Sequence, residues 1–167
     1  MDLNKLSTAD KVIGASAIVF LIAFFLPWEG ISNEFGSASN KGYDYFLTGI
    51  IPFLVVLVMV VQIVLDKLTT TQLPEIPLKW GQVHLIGGLI VAVLVVLRLL
   101  VPADEGSGAF SVDLDRMYGL FIAAIAAIGV GVGGFLKSKE PEDAYSGGPA
   151  AYPGTQPPPP PPGGASF

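Results

Sequence analysis

Four apolar stretches, at residues 12–28, 45–65, 80–101 and 117–136, narrow sharply what this chain can become. A helix crosses the ~30 Å hydrocarbon core of a bilayer with about 20 predominantly apolar residues, within a range of about 17–25. Each stretch meets that length. The second (LVVLVMVVQIVL) has the valine content of a strand, but a lone strand in lipid would leave its backbone groups unpaired, so helix is expected. Composition agrees: 51% of the 167 residues are hydrophobic and only 14% are charged, against about 25% charged in soluble domains. The expected fold class is an all-α membrane protein, a four-transmembrane-helix bundle.

Lys5 and Lys11 before the first stretch resemble the start of a secretory signal. A signal peptidase needs small residues just after the apolar core, whereas this core ends in Leu26-Pro27-Trp28-Glu29. An uncleaved first helix stopped by Pro27 is expected.

Orientation follows from the basic residues, which favour the cytoplasmic side. With the N-terminus inside, that side receives Lys5, Lys11, Lys67, Lys79, Lys137 and Lys139, while the outside keeps Lys41, Arg98 and Arg116. Trp28, Tyr43, Tyr45 and Tyr118 then fall at outer helix ends and Trp80 at an inner one, the headgroup level that amphipathic rings prefer. The expectation is a multi-pass protein of the plasma membrane with both termini cytoplasmic.

The organisation is therefore an N-terminal segment (1–11), a transmembrane domain (12–139) and a tail (140–167). The connecting loops are too short to bury cores of their own. The inner one, Leu73-Pro74-Glu75-Ile76-Pro77, is stiffened by its prolines. Nine of the fourteen prolines lie at or beyond Pro141. The tail is expected to be disordered. Its run Pro157, Pro158, Pro159, Pro160, Pro161 and Pro162 is expected to form polyproline II, about 19 Å long at ~3.1 Å per residue.

Among the polar residues inside the spans, Arg98 is the first candidate, since ionisable groups there carry function by default. It stands near the outer end of its helix, where it can snorkel or pair with Asp44, Glu29 or Asp113. The structural role is the expected one. Gln62 and His84, with Ser16 at a comparable depth, are expected to point inward and share a hydrogen-bond cluster. A proton relay would want a carboxylate in the span, and the nearest, Asp66, is at the interface.

The fourth helix carries small residues at spacing four: Ala123, Ala127 and Gly131, with Gly129 and Gly133 beside them. Such faces let helices approach closely in lipid, so a packing surface within the bundle is expected. The glycine run does not follow a strand, which removes a dinucleotide-binding reading. Pro52 is expected to kink the second helix or mark its first turn. Asp113 and Asp115 are expected to be a solvated acidic loop whose Arg116 opens the fourth helix.

With no cysteine, one histidine and no carboxylate pair at depth, no constellation reaches a catalytic site, and neither enzyme activity nor a cofactor is expected. The net charge of −5 offers nothing to nucleic acid.

Asp10-Lys11-Val12-Ile13-Gly14 and Phe25-Leu26-Pro27-Trp28, at the two ends of the first helix, resemble the pattern of small four-span integral membrane proteins of actinobacteria with a proline-rich C-terminal tail. Leu73-Pro74-x-x-Pro77, Arg116-Met117-Tyr118-Gly119-Leu120 and Gly133-Gly134-Phe135-Leu136 extend the resemblance over most of residues 7–139. These motifs mark helix ends, so the resemblance implies the layout and a place in the cell envelope but no functional residue. Claudin-like proteins share the layout, but this chain lacks the cysteine pair of their first outer loop.

The expected function is that of a structural or protein-interaction component displaying a cytoplasmic proline-rich tail, since preformed polyproline II fits aromatic grooves. The alternative is an accessory or oligomeric subunit of a transporter or channel. Partners are membrane lipid, proteins met through the tail, and further copies or a larger membrane complex.

Overall fold

The computed structural model describes residues 6–33, 36–69, 78–101, 104–105 and 112–140. The loop at 70–77 and the tail from 141, with its six-proline run, lie outside the described residues. The elements run α1 (Thr8–Phe24), β1 (Pro27–Asn33), β2 (Gly36–Lys41), α2 (Ile51–Leu68), α3 (Trp80–Leu100), β3 (Asp104–Glu105), β4 (Val112–Asp113), β5 (Asp115–Arg116) and α4 (Tyr118–Ser138).

Three helical segments are long and apolar enough to cross a membrane: Phe46–Lys67, which includes α2, then α3 and α4. α1 is shorter, at 17 residues, and is displaced toward the N-terminus from the expected 12–28. Its start is fixed by a capping box. The Ser7 hydroxyl accepts from the Asp10 amide at 3.1 Å and the Asp10 carboxylate accepts from the Ser7 amide at 3.0 Å, satisfying two donors that a helix start leaves orphaned. At the other end the chain leaves the helix at Phe25 and Pro27 begins a strand.

α4 packs most extensively against α3 and α1, whereas α2 makes looser contacts with both. The core between them holds Ile13, Phe20, Val91, Val95, Leu120, Ala123, Ala127 and Val130. The outward faces are the reverse of a soluble protein's, with Ile18, Leu54, Val58, Leu89, Phe121 and Ile125 all exposed. So extended an apolar surface calls for a non-aqueous surrounding.

The connections at one end, too short for a core of their own, nevertheless form strands. β2, β1 and β5 form a three-stranded antiparallel sheet in that order, and β3 pairs with β4. Gly30 permits the close approach of β1 and β2, because a Cβ there would meet the Ala38 carbonyl at 2.4 Å. The ladder slips between Pro27 and Glu29. That irregularity matters: neighbouring strand residues face opposite sides, yet both Trp28 and Glu29 are fully buried, and a bulge lets consecutive side chains turn inward.

Trp28 is thus not at a headgroup surface. Its indole N–H donates to the Ala23 carbonyl at 2.8 Å inside the protein. Tyr43 and Tyr118 keep exposed rings. Arg116 does not open α4 either; it sits in β5, pairs across from Glu29 and donates to the Leu100 carbonyl at 3.2 Å.

A π turn at Phe46–Ile50 leads into α2, with the amides of Gly49 and Ile50 both donating to the Tyr45 carbonyl at 2.9 Å. Pro52 follows in the first turn of α2, where the π turn hands over to the α-helix. Gly49 lies against Gly42 so closely that any Cβ would collide with the Gly42 carbonyl.

Candidate functional site

The bundle has two ends: a sheet end, and an end where α1 starts and α4 finishes, the termini end. Each holds a buried ion pair. At the sheet end, α3 delivers Arg98 from its last turn, where the helix dipole favours a cation. The bulged β1 presents Glu29. Arg98 Nη2 donates to Glu29 Oε2 at 2.5 Å, and the Tyr45 hydroxyl donates to the same oxygen at 2.8 Å. The guanidinium lies 3.8 Å from the centre of the Tyr45 ring, a cation–π contact. Trp28 stacks on the other side of the arrangement, its ring 6.2 Å from that of Tyr45.

Burial pushes the Tyr45 hydroxyl above its ordinary range, and the hydrogen bond to Glu29 pushes it further. Tyr45 therefore remains a donor, as the Glu29 carboxylate requires. Of the acids expected within reach of Arg98, the fold brings Glu29 to it. Neither Glu29 Oε1 nor Arg98 Nε has a hydrogen-bond partner among the described residues.

At the termini end the pair is Asp10 with Lys137, both side chains fully buried. Lys137 Nζ donates to Asp10 Oδ1, while Glu140 Oε2 lies 3.4 Å from the same ammonium. Asp10 thus serves twice: one oxygen caps α1 and the other neutralises the last turn of α4. Sequence reasoning missed this pair. Its one local signal is the Ser7-x-x-Asp10 capping pattern; Lys137 by itself has the form of a loop-flanking charge.

His84 and Gln62 are both buried, in α3 and α2 respectively. His84 Nδ1 lies 3.0 Å from the Trp80 carbonyl; a carbonyl only accepts, so this nitrogen carries the proton. The expected cluster of Ser16, Gln62 and His84 does not form. Ser16 instead lies against Gly129, where a Cβ would meet its Oγ at 2.3 Å, and the Gln62 amide and His84 Nε2 find no hydrogen-bond partner among the described residues. The reason is directional: Ser16 faces α4, while His84 bonds within its own helix.

The small residues of α4 divide between two neighbours. Gly129 and Gly133 face Ser16 and Ile13 of α1, whereas Gly131 faces Gly88 and Ala92 of α3. Ala123 and Ala127 are fully buried. Gly134, which falls outside the expected spacing-four set, is as tight as Gly129 and meets backbone, since a Cβ there would lie 2.3 Å from the His84 carbonyl.

Two cavities complete the picture. One, about 350 Å³, lies at the termini end between Lys79, Trp80, Gly81, Gln82, Ser138 and Glu140. The other, about 220 Å³ and wholly apolar, lies between α1 and α2. Among the described residues, no three His, Cys, Asp or Glu side chains gather as a metal site would require. Each buried carboxylate described above faces a cation. Comparison with protein-family models, with curated proteins and with solved structures finds no match.

Proposed function

We propose that this chain is a four-span protein of the plasma membrane, N- and C-termini cytoplasmic, that serves as a structural or protein-interaction component displaying its proline-rich tail. The observation that carries this reading is the engagement of Arg98. The basic group in the last turn of α3 faces Glu29 and Tyr45 rather than an open path, and an ionisable residue so engaged is a fastener. Lys137 in α4 is engaged in the same way. A transporter or channel subunit draws correspondingly less support.

Counting α1 as a fourth span rests on its outward face, where Ile18, Val19, Leu21, Ile22 and Phe25 are exposed. Its buried acid is neutralised by Lys137. At about 25 Å for 17 residues it is short but within reach of the opposite interface. The resemblance to small four-span actinobacterial proteins belongs with this reading.

Two experiments test it. In intact cells, Ser37→Cys should label with an impermeant thiol reagent and Ser146→Cys should not; outside labelling at 146 overturns the topology. For the tail, the full chain and a version with Gly/Ser in place of prolines 157–162 are compared by affinity capture. The proline form should retain partners that the variant loses, and equal recovery overturns recognition by the tail.

A further inference from the structure

From the apolar groove between α1 and α2 we infer a binding site for one acyl chain of an anionic phospholipid, its headgroup held at Lys11. The inference rests on the membrane reading above and adds to it a specific lipid site. The groove is lined by Gly14, Ala17 and Leu21 on one side and by Phe53, Val56 and Val60 on the other. Gly14 opens it: a Cβ built there meets nothing within 4 Å. This is unlike the glycines of α4, which are pressed against neighbouring helices. The α1–α2 seam is thus left parted while α1–α4 is closed.

The lining narrows the occupant. The groove holds about 220 Å³ between apolar side chains alone and offers a partner no hydrogen bond or charge along its length. It has the calibre of a hydrocarbon chain. Length and charge then orient that chain. Lys11, Gly14, Ile18 and Leu21 recur at three- and four-residue steps, so they form one stripe along α1. From Lys11 to Leu21 the stripe is about 15 Å long at ~1.5 Å per residue. One leaflet of a ~30 Å core has that depth. Lys11 is exposed at the end of the stripe, at the termini end of the bundle, placed to meet a phosphate when the chain below it fills the groove. A basic residue near an anionic lipid surface supplies the matching attraction.

The test uses the full chain in nanodiscs of phosphatidylcholine and phosphatidylglycerol, one lipid at a time carrying a photoactivatable group in its acyl chain. Labelled positions are mapped by peptide mass spectrometry. Labelling at the α1–α2 groove should exceed that on the outward face of α4 around Ile125 and Ile128. Gly14→Leu, which sends a side chain into the groove from a position where the Cβ itself meets nothing, should abolish the excess. Lys11→Gln should lower the preference for phosphatidylglycerol over phosphatidylcholine roughly fivefold while leaving the groove intact. Equal labelling of groove and α4 face, or an excess that survives Gly14→Leu in a variant with unchanged thermal unfolding, overturns the site but leaves the membrane reading standing. A disulfide between two copies carrying Ile18→Cys, with the groove unlabelled, assigns it to a second chain and also overturns the proposal. Labelling on no helix overturns the membrane reading itself.

Discussion

The two ends of the bundle solve one problem in different ways. Each brings a base from the last turn of a helix to an acid flanking α1: Lys137 to Asp10 at the termini end, Arg98 to Glu29 at the sheet end. At the termini end, acid and base both lie within helices and both are fully buried. At the sheet end the acid is on a bulged strand, the guanidinium is 14% exposed, and an aromatic ring shares the cation. At the termini end one ammonium faces two acids, Asp10 and Glu140, whereas at the sheet end one acid takes both a guanidinium and a phenol hydroxyl. Truncating one member of a buried pair strands the other, so redundancy decides the cost.

The largest effect is therefore expected for Lys137→Met, about 3–5 kcal/mol of stability by thermal unfolding in detergent, because Asp10 is left buried. Arg98→Met should cost less, since Glu29 keeps the Tyr45 hydroxyl. A larger loss at Arg98 would invert the ranking of the two ends. Next come the glycines with which α4 meets its neighbours at either end. Gly134→Ala presses on the His84 carbonyl within a helix pair, and Gly119→Ala on the Pro27 carbonyl at a helix–strand junction that can yield. About 1–3 kcal/mol is expected for such overpacking, greater at Gly134, with Gly131→Ala milder because its contacts begin at 3.3 Å.

Tyr45→Phe keeps the ring over Arg98 but removes the hydrogen bond to Glu29, a loss of about 1.5 kcal/mol. This variant also has a pH signature. The Tyr45 hydroxyl is raised in the folded protein, so the unfolded chain releases that proton first, near pH ~10. The contribution is whole below that pH and declines as pH rises toward the folded value. The gap between wild type and Tyr45→Phe should accordingly hold steady up to pH ~10 and narrow above it; a gap that stays constant above pH ~10 would place Tyr45 outside the sheet-end cluster. The smallest effect, within about 0.5 kcal/mol, is expected for Ile128→Ala on the exposed outward face of α4.

What the sequence disclosed divides along the same line. Hydropathy placed α3 and α4 within two residues at each end, because an apolar run in lipid has one way to satisfy its backbone. It displaced α1, since the start there is set by Ser7 and Asp10, polar residues that an apolar count passes over. The sheet was illegible. Gly36–Lys41 lacks the alternation of a strand, and its pairing depends on β1, which is in turn held by Trp28 buried beneath it. Arg98 was conspicuous because it interrupts an apolar run. Asp10 and Lys137 were not, because each sits where a charge at a helix end is ordinary. Gln62 and His84 show the opposite limit: depth was readable, but the direction of a side chain relative to Ser16 was not.

The double duty of Asp10 bears on the order in which the molecule is made. Its counter-ion is 127 residues downstream, and at about 5–20 residues per second a ribosome needs roughly 6–25 s to supply it. Throughout that interval the first helix carries a carboxylate whose folded-state partner, Lys137, has not yet been made. Until the last helix arrives, that acid belongs near the aqueous interface, since an unpaired charge is costly in hydrocarbon. The closing step of synthesis is then also the one that lets the first helix settle, so the chain's two ends come to rest together.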